Sequence, residues 1–383
     1  MSKDITYLKG KRILFCFLIL FLFVGCSRDT APAERKSYDI DSAEKMDLPL
    51  SGMKYIPLET TDESLVGRIK KVIYHDHLFF IYDKSWESVF IFTDDGDFVQ
   101  KIDRMGNGPG EYVQTMDIDV DENGYLYVSD VERRCIMVYW GEGYRNYKEI
   151  KIGHPFIEFI VENEHSIYLA GVALNGAINV NLAHFDVENE TLNVLEETRY
   201  ENEYQTLRSS PQSLFRTPSG LYYYDHLSHA VLSLQDGKAT THLEILSDRW
   251  PSEDVMESWQ NKSPMEILTD RDHIRDLYAY HETDKHTLVQ LTAIPQIIVL
   301  IDKESGRYTL VNRVTDKSFP IFVSACTSNK DAFLSTCLPT AENIEKIMKS
   351  PAIDDTLRKK LSELDEESNP ILILYDLDYH GDM

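Results

Sequence analysis

The sequence predicts an all-β fold: a six-bladed β-propeller with two short helical insertions on one face and a ring closed by an N-terminal strand. Three observations carry this prediction. Apolar or alternating runs bounded by turn residues recur about every 8–12 residues, the spacing of strands in sandwiches, barrels and propellers. A longer period of roughly 40–45 residues groups the runs in fours, which selects the propeller. The last group is one strand short, while an unused strand-like run, residues 53–58, precedes the first group. Placed as the outer strand of the last blade, that run closes the ring and removes an open edge.

The elements follow in chain order. Lys3, Lys9, Lys11 and Arg12 precede an apolar run, residues 13–24, that is too short to span a bilayer but fits the core of a secretory signal. It ends in Phe23-Val24-Gly25-Cys26, which resembles a bacterial lipobox and makes Cys26 the expected lipidation site, with residues 1–25 as signal peptide. Ser27 follows where an Asp would retain a lipoprotein at an inner membrane, so the resemblance implies the outer membrane, on its periplasmic or cell-surface side. Residues 26–50 are polar and aperiodic and read as a flexible tether, leaving 51–383 as the propeller domain. Blade one is expected at 69–74, 78–82, 88–92 and 97–102, with Asp95-Gly96 as its last hairpin turn. Blade two follows at 113–120, 125–129, 135–139 and 147–152, and blade three at 156–161, 166–170, 180–185 and 191–195. Blade four is expected at 213–216, 221–224, 230–234 and 240–246, and blade five at 277–280, 287–291, 296–301 and 308–311. Blade six has 321–327, 332–338 and 371–377. Residues 250–276 are partly helical in pattern. Within 340–367, Ile344, Ile347 and Met348, then Leu357, Leu361 and Leu364, follow helical spacing on either side of Pro351.

Pro109, Gly110, Glu111 and Tyr112, then Asp119, Gly124, Leu126, Tyr127, Val128 and Asp130, resemble the NHL repeat, a propeller blade motif. More widely, residues 52–378 resemble the six-bladed β-propeller lipoproteins of Bacteroidota. The residues that carry this are KYIPLET at 54–60, LVGRIKKV at 65–72, GNGPGEY at 106–112 and NPILILYDL at 369–377. The resemblance implies fold, export and a lipid anchor, and no reaction.

Charge and cysteine content narrow the function classes. The chain carries 39 basic and 64 acidic residues; removing residues 1–25 takes four basic and one acidic, leaving 35 against 63, a net charge of −28. A polyanion of this kind opposes nucleic-acid binding and adhesion to anionic headgroups, so the acyl chain must supply the membrane attachment. Cys135, Cys326 and Cys337 read as small buried hydrophobes, with a Cys326–Cys337 bridge the alternative.

No complete catalytic motif is present, and no cofactor or metal is indicated. Asp119, Asp121, Asn123, Gly124 and Asp130 mimic a calcium loop, but the flanking runs alternate as strands and Asn123-Gly124 is hairpin chemistry. The Gly106–Gly110 loop lacks the following helix that a phosphate cradle needs, so its glycines are expected to serve a tight crossing between blades.

In a four-stranded blade, the first-to-second and third-to-fourth turns lie on one face. The second-to-third loops and the links between blades lie on the other. Both helical insertions and the 106–111 loop fall on the latter, decorated face, which is therefore expected to bind the ligand. Its candidate ligand-binding residues are Lys84, Trp86, Arg133, Arg134, His226 and His229, with Arg208, Trp250 and Trp259 nearby. His75 and His77 fall on the opposite face and read as solvated turn residues. The leading reading is a lipid-anchored binding or scaffold module for a small polar ligand or an outer-membrane protein partner. The alternative is a metal-assisted hydrolase or lyase at the central channel.

Overall fold

The computed structural model describes residues 36–48, 50–200, 203, 212–314 and 326–377. The features expected in residues 1–35, Cys26 among them, lie outside these, as do Arg208 and most of the expected 321–327 strand. No helix among the described residues is long and apolar enough to cross a membrane.

Six sheets surround a common axis. The chain opens with β1 (Lys36–Asp39), β2 (Lys45–Leu48) and β3 (Leu50–Pro57), none of which belongs to blade one. Blade one is β4 (Ile69–His75), β5 (Leu78–Asp83), β6 (Ser88–Thr93) and β7 (Phe98–Ile102). Blade two is β8 (Ile118–Val120), β9 (Leu126–Asp130), β10 (Cys135–Trp140) and β11 (Asn146–Lys151). Blade three is β12 (Glu158–Asn163), β13 (Ser166–Val172), β14 (Val180–Asp186) and β15 (Thr191–Glu197). Blade four is β16 (Leu214–Thr217), β17 (Gly220–Asp225), β18 (Ala230–Gln235) and β19 (Lys238–Leu246). Helices α1 (Glu253–Trp259) and α2 (Pro264–Leu268) lead to blade five, β20 (Asp276–Glu282), β21 (His286–Thr292), β22 (Ile297–Asp302) and β23 (Tyr308–Val314). Blade six takes β24 (Thr327–Ser328), β25 (Phe333–Cys337) and, after α3 (Ala341–Ile347) and α4 (Asp355–Ser362), β26 (Ile371–Leu377).

The closure expected from the sequence is present: β3 pairs antiparallel with β26, Ile56 opposite Leu372 and Tyr55 opposite Ile373. The tether reading fails for residues 36–48. Strand β1 adds parallel to β19, Lys36 opposite Leu243, and β2 adds parallel to β23, Lys45 opposite Leu310. Blades four and five thereby gain a fifth strand. Tyr38 and Ile40 bury into the core between blades four and five, but four-residue edge strands paired mainly through backbone groups show no apolar alternation, which is why their sequence resembles a linker.

Successive blades are held by apolar side chains between their faces. Between blades one and two, Phe80, Tyr82 and Ile91 meet Tyr112, Val128 and Met137. The remaining five blade interfaces have equivalent clusters. Each fully buried large side chain contributes about 1.5–3 kcal/mol, so the stability of the disc is spread around the ring. The helical insertions bury their own stripes. Ile347 and Leu361 pack on Tyr55, Cys337 and Ile373 of blade six, and Met256, Trp259 and Ile267 pack with Leu227 beside blade four.

Candidate functional site: the axial cavity

The innermost strands β4, β8, β12, β16, β20 and β24 surround the axis, and each carries polar residues within an apolar run. These residues line a cavity of about 370 Å3 to which all six blades contribute. Lys71 comes from blade one, Asp119 from blade two, Ile160 from blade three, Arg216 and Thr217 from blade four, His281 from blade five and Thr327 and Ser328 from blade six. The mouth is formed by Asp76, Pro218, Asn329, Lys330 and Asp331, which belong to the first-to-second turns of blades one, four and six. The cavity therefore opens on the short-hairpin face.

The charges deep in the cavity are paired, while Asp76, Lys330 and Asp331 stand at its mouth. Lys71 Nζ lies 3.0 Å from Asp117 Oδ1 and donates to the Ile118 carbonyl at 2.8 Å. Asp117 also accepts from the Phe159 amide at 3.1 Å, tying blade two to blade three. Burial pushes the Asp117 carboxyl up, against the opposing pull of Lys71 and Lys70. Asp119 receives Arg216 through two bonds, Nη2 at 2.6 Å and Nε at 3.2 Å, and the Val161 amide at 2.7 Å. Arg216 also donates to the Val161 carbonyl at 2.6 Å. The cavity is thus a neutralised polar seat with apolar wall segments such as Val72 and Ile160. It is suited to a small molecule with mixed polar and apolar surface, not to a bare anion. Among the described residues, no three of His, Cys, Asp or Glu converge closely enough to hold a metal ion, the set that a metal-assisted hydrolase would need here.

The structure scatters the six residues expected to bind ligand. Lys84 is half-buried and points to the Thr115 carbonyl at 3.4 Å. Trp86 is 55 % exposed beside the Lys101 ammonium of the outer strand. Arg133 is committed to structure, donating to the carbonyls of Glu111 at 2.6 Å and Gly106 at 3.3 Å, so it anchors the glycine loop. Arg134 has a positive φ of 58°, and its carbonyl receives the Ile152 and Gly153 amides. His226 and His229 sit on blade four, across the disc from Lys84. His226 Nε2 is 2.8 Å from Glu203 Oε1, and His229 stacks on Trp250 at 4.0 Å between ring centres. None of the six lines the axial cavity. Neither do the helical insertions roof it: Trp259 is buried against its own helices, pinning them to the disc.

With Asn181 and Glu196 of blade three, the blade-four histidines form a largely buried polar cluster. Asn181 donates to Glu203 at 2.6 Å and to Glu196 at 3.2 Å. Burial, then the nearby Asp225 carboxylate, pushes Glu196 up to about 8. Burial also works to raise Glu203, but His226, Asn181 and the Tyr200 amide outweigh it and hold Glu203 at about 2. Burial, then His226, pushes His229 down to about 4.

The other motifs behave as turn chemistry. Asp121 Oδ1 accepts from the amides of Asn123 and Tyr125, both at 2.9 Å, and Asp130 accepts from Val113 and Arg133, so neither is open to calcium. A Cβ on Gly110, whose φ is 75°, would lie 2.7 Å from the Tyr147 ring; the loop is a tight crossing between blades, as expected. Cys135, Cys326 and Cys337 are free, and burial pushes each thiol up to about 12.

From the sequence, His75 reads as a solvated turn residue and Asp119 as part of a blade motif, while nothing singles out Lys71, Arg216, His281 or Lys330. The available signal was a charged or polar residue in the first strand of each blade, as in IKKVIYH, IDV, LFRT and DLYAYHE.

These features define a six-bladed β-propeller with an axial pocket. The chain belongs to the family described as Domain of unknown function (DUF4934), which matches residues 36–376. Among solved structures it is similar to a protein of Bacteroides fragilis described as exported, at 17% identity, 90% coverage of this chain, 99% of that one and a TM-score of 0.71. It also matches a member of the DUF4221 family from Bacteroides vulgatus at 10% identity, covering 88% of this chain and 99% of that one, with a TM-score of 0.47. Virginiamycin B lyase from Staphylococcus aureus matches at 12% identity over 68% of this chain and 73% of that one, with a TM-score of 0.38. No curated protein matches the chain in sequence. At these identities the likeness is one of fold.

Proposed function

We propose that this protein is an exported outer-membrane lipoprotein, of the Bacteroidota propeller type with NHL-like blades, anchored through Cys26. Its propeller binds a small polar ligand in the axial cavity. The observation that carries the binding reading is the cavity itself: all six blades contribute to it, the charges deep in it are paired, and its mouth is formed by short turns that carry Asp76, Asn329, Lys330 and Asp331. The lipobox resemblance and the apolar run before it support the anchor.

Two measurements test the two halves. Cys26→Ser should move the protein from the detergent phase to the aqueous phase; equal partitioning rejects the anchor. For the pocket, a thermal-shift screen of oligosaccharides, short peptides and nucleosides should find a compound that raises Tm. Pro218→Trp, an exposed mouth position, should abolish that rise while leaving the Tm of the free protein nearly unchanged. A compound whose stabilisation survives Pro218→Trp binds elsewhere.

A further inference from the structure

The path of the N-terminal strand places the entry of the chain on one side of the propeller. Strand β1 runs parallel to β19, which begins at the Gln235–Lys238 turn and ends at the blade link. The chain therefore enters β1 from the short-hairpin side. Lys36 lines a hollow with Ser219 of blade four and with Glu282, Lys303 and Gly306 of blade five. Cys26 is 36 − 26 = 10 residues upstream, which the chain can span over at most about 36 Å.

Charge is unevenly distributed on that face. Around the entry point, Lys36, Lys285, Arg307 and Lys330 are exposed and Lys303 is half-buried. They are contiguous: the Lys303 amide bonds the Lys285 carbonyl, and the Asp284 amide bonds the Lys330 carbonyl. Lys238 is a further exposed cation, and Asp236, Asp284, Glu304 and Asp331 are exposed acids beside them, so the sector is close to neutral or slightly positive. The same face of blades one to three exposes Asp76, Glu122, Glu142, Glu164, Glu188 and Glu190 against the single cation Arg145 among the described residues, while Asp95 is paired with Lys54. Cations near an anionic leaflet are attracted and acids repelled, over roughly 8–10 Å at physiological salt.

We propose that the short-hairpin edge where blades four, five and six meet is the surface apposed to the lipid bilayer, with blades one to three turned away and the decorated face directed to solvent. This rests on the lipid anchor at Cys26. The acyl chains supply the attachment, and the charge asymmetry selects the edge. The axial mouth then opens on the membrane side of the disc.

The test uses acylated full-length protein in phosphatidylcholine vesicles containing phosphatidylglycerol and an acceptor-labelled lipid. A donor dye is placed at Glu304→Cys, Glu164→Cys or Glu345→Cys. Energy transfer should be several-fold stronger from position 304 than from 164 or 345, and high salt should reduce the difference. Lys285→Glu with Arg307→Glu and Lys330→Glu should flatten the pattern while flotation with vesicles persists. Vesicle-bound protein with equal transfer from all three positions, or with the strongest transfer from 345, overturns this orientation and leaves the anchor standing. Protein that does not float with vesicles overturns both.

Discussion

Arg216 reaches from blade four to Asp119 on blade two and to the Val161 carbonyl on blade three, so one guanidinium joins three blades at the axis. The Asp119 side chain is 1 % exposed. Arg216→Ala leaves that carboxylate buried without its cation and is expected to cost about 3 kcal/mol, read from urea denaturation. Arg216→Lys should recover only part of this, because an ammonium cannot reproduce the two-bond fork. The blade-four cluster makes a prediction about pH. Glu196, raised from 4.5 to about 8, binds a proton more tightly in the folded state, so its contribution falls as pH rises from about 4.5 to 8. His229, lowered from 6.5 to about 4, and Glu203, lowered from 4.5 to about 2, do the reverse: their contributions are lost as pH falls through those windows. Opposing slopes between about 4.5 and 6.5 give a plateau, with stability declining on either side. Glu196→Gln should remove the decline between pH 6.5 and 8; an unchanged alkaline limb in the urea midpoint would falsify the assignment.

At the scale of elements, the glycine loop and the N-terminal strands are the informative pieces. Gly110→Ala meets both a positive φ and the Tyr147 ring, and should lower stability by about 1–3 kcal/mol in the same denaturation assay. Strand β3 supplies seven pairings to β26 and closes the ring, so deleting residues 51–59 should lower Tm steeply by exposing a buried blade edge. Deleting residues 36–48 should cost less, since β1 and β2 add to blades that already have four strands and the loss to the core is chiefly Tyr38 and Ile40. If the two deletions lower Tm equally, β3 has no special role in closure. Helices α3 and α4 were readable from their spacing because each buries one stripe against blade six. Strands β1 and β2 were not: four residues with one or two apolar side chains look the same in a tether and at a sheet edge.

At the scale of the molecule, the proposed site lies on the face opposite the one that loop decoration indicates. Loop decoration pointed to the face carrying α1–α4, but the axial cavity opens through the short turns opposite. Hydrogen exchange with a stabilising compound should therefore protect the turns at Asp76, Pro218 and Asn329, leaving α1 and α3 unchanged. Protection of the helices instead would restore the decorated face as the binding surface. The insertions act as packing elements: Trp259 and Ile347 are almost fully buried, and α4 contributes to a separate rim hollow with Glu59, Asp97 and Lys360.

The sequence by itself determined the blades. Strand period, turn residues and the spare strand at 53–58 are local signals, and closure of a repeat follows from counting them. It also settled the turn roles of Asn123-Gly124 and Gly110, which depend on backbone torsion alone. Only the tertiary structure decided the candidate site. Lys71, Asp119, Arg216 and His281 are separated by up to 210 residues (281 − 71) and meet because the ring brings every first strand to one axis. The same ring keeps Arg133, Lys84 and His226, all on loops of one face, apart on different blades. Which residues share a face is periodic and can be read along the chain; which of them converge depends on the radius at which each strand lies, and that is fixed only when the ring closes.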